Sequence, residues 1–180
     1  MPPLPKTPAS RSAATRRPRG TGTVRPPSPA ELAELPDEEL LEAVQRQTFR
    51  FFWEGGHPVS GLAPDRRTTR DVPVDDQAAI GGSGFALMCI IVAVERRWIT
   101  RAAAVARIGA MLDLLTRAPC YHGAFPHFLD GRTGATIAFS RKDDAADLVE
   151  TSFLCMGLLC VRQFFDADNA LEARLRGRSR

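Results

Sequence analysis

Acidic side chains are missing from residues 1–30, which hold six basic residues and eight of the chain's fourteen prolines. Such a segment has too little apolar surface to offset the entropy of ordering, and a disordered tail is expected. Arg16-Arg17 is followed by Pro18-Arg-Gly-Thr-Gly-Thr where an apolar h-region would be needed, so no export signal is visible. Taken alone, that start places the protein in the cytoplasm. No apolar run reaches the ~20 residues of a membrane span. The four cysteines, Cys89, Cys120, Cys155 and Cys160, lack CxxC spacing, which argues against a zinc site or a disulfide framework. Three of them lie in apolar helical runs and read as small buried hydrophobes. Gly81-Gly-Ser-Gly84 lacks the Lys-Ser/Thr of a phosphate-binding loop, and the third glycine of a dinucleotide fingerprint would fall at Leu87. No cofactor and no metal are expected, since His122 and His127 have no further ligands at suitable spacing.

The net charge of +3 conceals an uneven distribution. Setting aside the six basic residues of the tail and Arg174, Arg176, Arg178 and Arg180 leaves fourteen basic against 21 acidic residues in 31–173. That acidic body makes a nucleic-acid partner a poor reading of the basic ends. The domain organisation that follows is a tail over 1–30, a folded body over 31–173 and a basic end over 174–180.

Within the body, Pro36-Asp37 opens an amphipathic helix, with Asp37 as N-cap, that ends at Gly55-Gly56. A polar loop covers about 59–76. Gly81–Gly84 launches a second helix with Ser83 as N-cap, and Phe85 to Val94 is apolar without a break. Thr100 caps an amphipathic third helix over about 101–117, stopped by Pro119. Ala124–Leu129 and Thr136–Phe139 flank Asp130-Gly-Arg-Thr-Gly134 as a short hairpin. The fourth helix, about 141–165, is uncharged from Thr151 to Val161. Alternation of amphipathic and wholly apolar helices suits two concentric layers. The fold class expected is all-α, an incomplete (α/α)6 toroid with a short β-hairpin; a plain bundle around one central helix is the alternative.

The fourth helix carries the chemistry. With Ser140 as N-cap, Asp143, Asp147 and Glu150 fall at i, i+4 and i+7, on one face that continues through Leu154, Leu158 and Val161. Acids in a first turn are ordinary, because the helix dipole favours them there. That covers Asp143 and Asp144 but hardly Glu150, which sits between Leu148, Val149 and Phe153 and would need a partner or water. His122 and His127 flank Gly-Ala-Phe-Pro, and aromatic rings near a cleft suit the C–H-rich face of a sugar.

Several segments together resemble a known family. Gln45-Arg-Gln-Thr-Phe-Arg-Phe-Phe-Trp-Glu54, His57-Pro-Val-Ser-Gly-Leu62, Ile80-Gly-Gly-Ser-Gly-Phe85, Ile91-Val-Ala-Val-Glu-Arg96, His122-Gly-Ala-Phe-Pro-His127 and Lys142-Asp-Asp-Ala-Ala-Asp-Leu-Val-Glu-Thr151 are similar to the N-terminal part of the bacterial glucoamylase-like domain. That group includes endo-β-1,2-glucanases and a domain of cyclic β-1,2-glucan synthases. The resemblance implies an (α/α)6 barrel, a periplasmic or extracellular location and acid/base hydrolysis of β-linked glucan, β-1,2-glucan first. It places catalytic carboxylates at Glu150, Asp147 and Asp143, and substrate contacts at Ser83, Phe85, His122, Phe125, His127 and Lys142. Four helices are visible where a twelve-helix barrel needs roughly 200 residues. A truncated chain is therefore expected, partnered by the rest of the domain, with an oligo- or polysaccharide as substrate. The alternatives are a non-catalytic carbohydrate-binding or inert remnant, and a transglycosylating domain.

Overall fold

A computed structural model describes residues 28–67 and 76–179. Most of the tail expected to be disordered, part of the 59–76 loop and Arg180 lie outside the described residues. Among the described residues, six helices and three short strands follow in the order α1 (Pro29–Ala33), α2 (Asp37–Trp53), β1 (Gln77–Ala79), α3 (Ile80–Glu95), α4 (Arg101–Leu115), β2 (Phe128–Asp130), β3 (Thr136–Ile137), α5 (Leu148–Phe164) and α6 (Ala170–Arg178). The protein is mostly helical, with one small antiparallel sheet in the order β1-β2-β3.

α3 and α5 form the centre. α3 buries Ile80, Ser83, Gly84, Leu87 and Ile90, and α5 buries Leu154, Gly157 and Val161. Two glycines let these backbones meet. A Cβ on Gly84 would run into the Phe153 carbonyl, and one on Gly157 into the Gly84 carbonyl. The close packing expected of the Gly81–Gly84 run is thus present, for a backbone reason. α2 and α4 pack outside. Thr100 caps α4 as expected, its hydroxyl accepting from the Ala103 N–H at 3.1 Å. Arg107 of α4 lies 4.4 Å over the Trp53 ring and donates to the Trp53 carbonyl at 3.0 Å, which ties α4 to the end of α2.

Several expectations need correction. α5 does not begin near residue 141: Ser140 and Asp143 close a tight turn through paired backbone hydrogen bonds of 3.2 and 3.1 Å, and Asp147 is the N-cap. Ser83 is not an N-cap either. It lies inside α3, and its buried hydroxyl donates to the Ala79 carbonyl at 2.7 Å while accepting from the Ala63 N–H at 3.0 Å. The N-cap of α2 is Pro36, one residue before the expected Asp37. Neither apolar helix is buried all round: Phe85 and Val92 on α3, and Met156 and Leu159 on α5, are exposed. Cys155 is exposed and Cys89 and Cys160 are only part-buried, so none of the three is a core residue; all four cysteines are free thiols.

α6 takes in much of what reads as a basic end. Arg101 grips Glu172 with two hydrogen bonds of 2.8 Å, and Arg178 pairs with Asp113 at 2.7 Å. The Arg101 guanidinium, helped by the Ala167 N–H, holds the Glu172 carboxyl at about 2. The folded value lies below the unfolded one, so the stabilisation is complete above about pH 4.5 and lost as pH falls through 2.

Two outcomes are expected. Gly157→Ala should destabilise the fold by at least ~1–3 kcal/mol through overpacking, seen as a lower urea midpoint; an unchanged midpoint would contradict the tight crossing. Glu172→Gln should flatten the fall of the urea midpoint between about pH 4.5 and pH 2. An unaltered pH slope would show that the pair does not carry it.

Candidate functional site

The site is built where the first turn of α3 meets the first turn of α5. The opening N–H groups of a helix have no partner within it. In α3 the first two find theirs outside: Ile80 donates to the His127 carbonyl at 3.1 Å, and Gly81 donates to Glu150 Oε2 at 2.7 Å. A side chain at Gly81 could not coexist with this arrangement, because its Cβ would lie 2.7–3.0 Å from the Glu150 carboxylate. Gly81 is therefore the seat of Glu150. Glu150 has the partner its flanks seemed to demand, although those flanks, Leu148 and Val149, are themselves exposed.

Asp147 caps α5. Its Oδ1 accepts from the Val149 and Glu150 N–H groups at 2.9 and 3.0 Å, and its Oδ2 pairs with Nδ1 of His127 at 2.8 Å. The Glu150 N–H above all, then the His127 and Val149 donors, hold the Asp147 carboxyl below the usual carboxylate range. The His127 ring packs against Phe128 and Phe139, with centroids at 4.3 and 4.6 Å, and a quarter of its side chain is exposed.

The loop that delivers His127 is stitched to α5. Phe125 donates its N–H to Thr151 Oγ1 at 2.8 Å and accepts from the Asp147 N–H at 2.7 Å. Upstream, Tyr121 and Ala124 exchange backbone hydrogen bonds across His122 and Gly123, whose φ values of 51° and 84° make a tight reverse turn. His122 is exposed, its ring edge-on to Tyr121 at 4.3 Å.

Of the proposed carboxylates, Glu150 and Asp147 come together, and the backbone explains why. Asp143 does not share a helical face with them; it is exposed in the turn before α5, as is Lys142. Ser83 cannot touch a substrate, being fully buried and committed to two backbone groups. Phe85 is exposed and tilted against Phe153 at 5.2 Å, and Phe125 is part-buried. Sequence reasoning missed two participants. Gly81 holds Glu150, and Phe139, exposed beside His127, presents a flat apolar face. Their signals were the first glycine of the Gly-Gly-Ser-Gly run and an aromatic at the hairpin's end. Among the described residues no group of three or more His, Cys, Asp or Glu is placed to hold a metal ion. Two apolar hollows, of about 440 Å³ beside Phe49 and Trp98 and about 300 Å³ between α4 and α6, are lined by none of the candidate residues. Asp147 and Glu150 are both part-buried.

No family model matches the chain. It is 46% identical over 143 residues to an exo β-1,2-glucooligosaccharide sophorohydrolase of Parabacteroides distasonis; the match takes in 79% of this chain and 19% of that protein. An endo-β-1,2-glucanase from Chitinophaga pinensis, solved with sophorotriose and glucose, superposes with a TM-score of 0.77 at 40% identity, over 81% of this chain and 35% of that one. A Bacteroides uniformis structure described as a glucoamylase gives 0.75 at 45% identity, over 81% and 35%. The chain thus spans about a third of the solved relatives and a fifth of the sophorohydrolase. At 40–46% identity and with such superposition the chain is a homologue of glucoamylase-like proteins and β-1,2-glucanases, and corresponds to a portion of those longer proteins.

Proposed function

We propose that the chain carries one wall of the cleft of a glycoside hydrolase acting on β-1,2-linked glucan, with Glu150 as the carboxylate nearest the chemistry. The observation that carries this reading is the hydrogen bond from Gly81 N–H to Glu150 Oε2. It fixes one carboxylate oxygen at the meeting of two helix N-termini, in a chain two of whose relatives are β-1,2-glucan hydrolases by name. A carboxylate so held is pre-organised to transfer a proton or face developing positive charge. Asp143 is the second candidate, on the same stretch. An inverting hydrolase needs its acid and base ~6.5–9.5 Å apart across the sugar, so one wall calls for an opposing carboxylate.

The same reading takes the (α/α)6 barrel as the architecture. It is supported by the apolar residues left exposed on α3 and α5, Val92, Met156 and Leu159, where further inner helices would pack. It also puts the protein where its glucan is, in the periplasm or outside the cell. A second reading, sugar binding without catalysis, is favoured by one observation: both Asp147 oxygens are already occupied, which leaves fewer free carboxylates on this wall.

Release of reducing ends from β-1,2-glucan, measured with the rest of the domain supplied, separates the two. Glu150→Gln keeps an oxygen for the Gly81 N–H but loses the charge and the proton, and should lower turnover by about 10²-fold or more. Sophorotriose binding should persist in the variant. Equal rates in wild type and variant would move the chemistry elsewhere. Binding without turnover in wild type would establish the second reading.

A further inference from the structure

His127 and Asp147 form a pair whose geometry assigns each atom a task. Asp147 is ionised, because two backbone N–H groups and the imidazole all favour the charged carboxylate. An ionised carboxylate only accepts, so at 2.8 Å the proton between Oδ2 and Nδ1 belongs to the ring. The neutral imidazole then carries its proton on Nδ1 and a bare lone pair on Nε2. Among the described residues the ring makes this one hydrogen bond. Phe128 and Phe139, stacked on one another, both pack against the ring, and a quarter of the side chain reaches solvent. The His127 carbonyl caps Ile80 while Glu150 caps Gly81, which places the ring's residue one N–H along the same helix start from the candidate carboxylate.

We propose that Asp147 is a positioning residue: it takes the Nδ1 proton of His127 and so keeps Nε2 as a hydrogen-bond acceptor for a hydroxyl of a β-1,2-linked glucosyl unit. The inference rests on the glucan reading above, and it removes Asp147 from the role of proton donor to the glycosidic oxygen. The exposed Phe139 ring beside His127 offers an apolar face to the same sugar.

Asp147→Asn tests this sharply. Two backbone N–H groups, from Val149 and Glu150, demand an oxygen at the Oδ1 position, so the asparagine must cap α5 with its carbonyl. Asparagine is as good an N-cap as aspartate, and the fold should persist. Its NH₂ then faces Nδ1, and the ring must shift its proton to Nε2, turning the acceptor into a donor.

The experiment is long-range ¹H–¹⁵N NMR of the labelled chain with its rings neutral. There are three histidines, and His127→Gln assigns the signal. Wild type should show protonated Nδ1, and Asp147→Asn protonated Nε2. Sophorotriose should shift the His127 Nε2 signal in wild type and in Glu150→Gln, and should bind about tenfold or more weakly to Asp147→Asn and His127→Gln. A merely structural Asp147 would move the tautomer in Asp147→Asn without weakening sophorotriose binding, which would overturn the proposal. Protonated Nε2 in wild type, or lost sugar binding in Asp147→Asn without a tautomer change, overturns the proposal. Hydrolysis with no sugar-dependent shift at His127 overturns it while the glucanase reading stands. A sugar-dependent shift without hydrolysis, even with the rest of the domain supplied, leaves the proposal standing while the glucanase reading falls.

Discussion

The approach of α3 to α5 through Gly84 and Gly157 is the constraint on which the rest depends. With side chains at either position the two backbones could not come within reach, and the first turns of the helices would part. Their contact lets a carboxylate on α5 satisfy an N–H on α3 that the helix itself cannot. The hydrogen bond and the helix packing thus support one another: packing sets the distance, and Glu150 fills what would otherwise be an unsatisfied donor near the core. A carboxylate placed this way needs no separate scaffold, because it is part of how the helix starts.

The loop before β2 completes the arrangement by the same logic. His127 contributes its carbonyl to α3 and its ring to Asp147, while Asp147 caps α5. Loop, α3 and α5 are locked at a single junction, and the side chains that would meet a sugar are the ones that hold it. On the far side His57 does comparable work. Its buried ring lies against Gly131 and hydrogen-bonds Asp76 at 2.9 Å, fastening the segment after α2 to the β2–β3 turn.

Much of the fold could be read from the chain, and the failures have physical causes. The body of α2 and both ends of α4 follow from local signals, the charges around Pro36-Asp37 and the Thr100 cap. The packing of α3 against α5 follows from their apolar runs, although α5 buries only Leu154, Gly157 and Val161 and leaves much of its length exposed. The start of α5 was misplaced because Ser140 and Asp147 are both good caps, and only the tertiary contact of Asp147 with His127 decides between them. Ser83 reads as a cap for the same reason, yet α3 begins three residues earlier, since His127 and Glu150 supply its N-terminal acceptors from distant sequence. β1 is three residues long and exists because β2 offers it an edge. α6 was hidden by its charge, which pairs with Arg101 and Asp113 across 71 and 65 positions of chain, a distance no local pattern reveals. For the site, Glu150 and Asp147 were legible as acids in an unusual place. Their geometry was not, because the three-residue step between them runs from a cap into a first turn rather than along one helical face.

The most direct test of the account is a crystal structure of the chain with sophorotriose. The account predicts a glucosyl unit at the junction of α3 and α5, within hydrogen-bond reach of both Glu150 and His127 Nε2. A trisaccharide seated instead in the apolar hollow beside Phe49 and Trp98, with the junction empty, would contradict it.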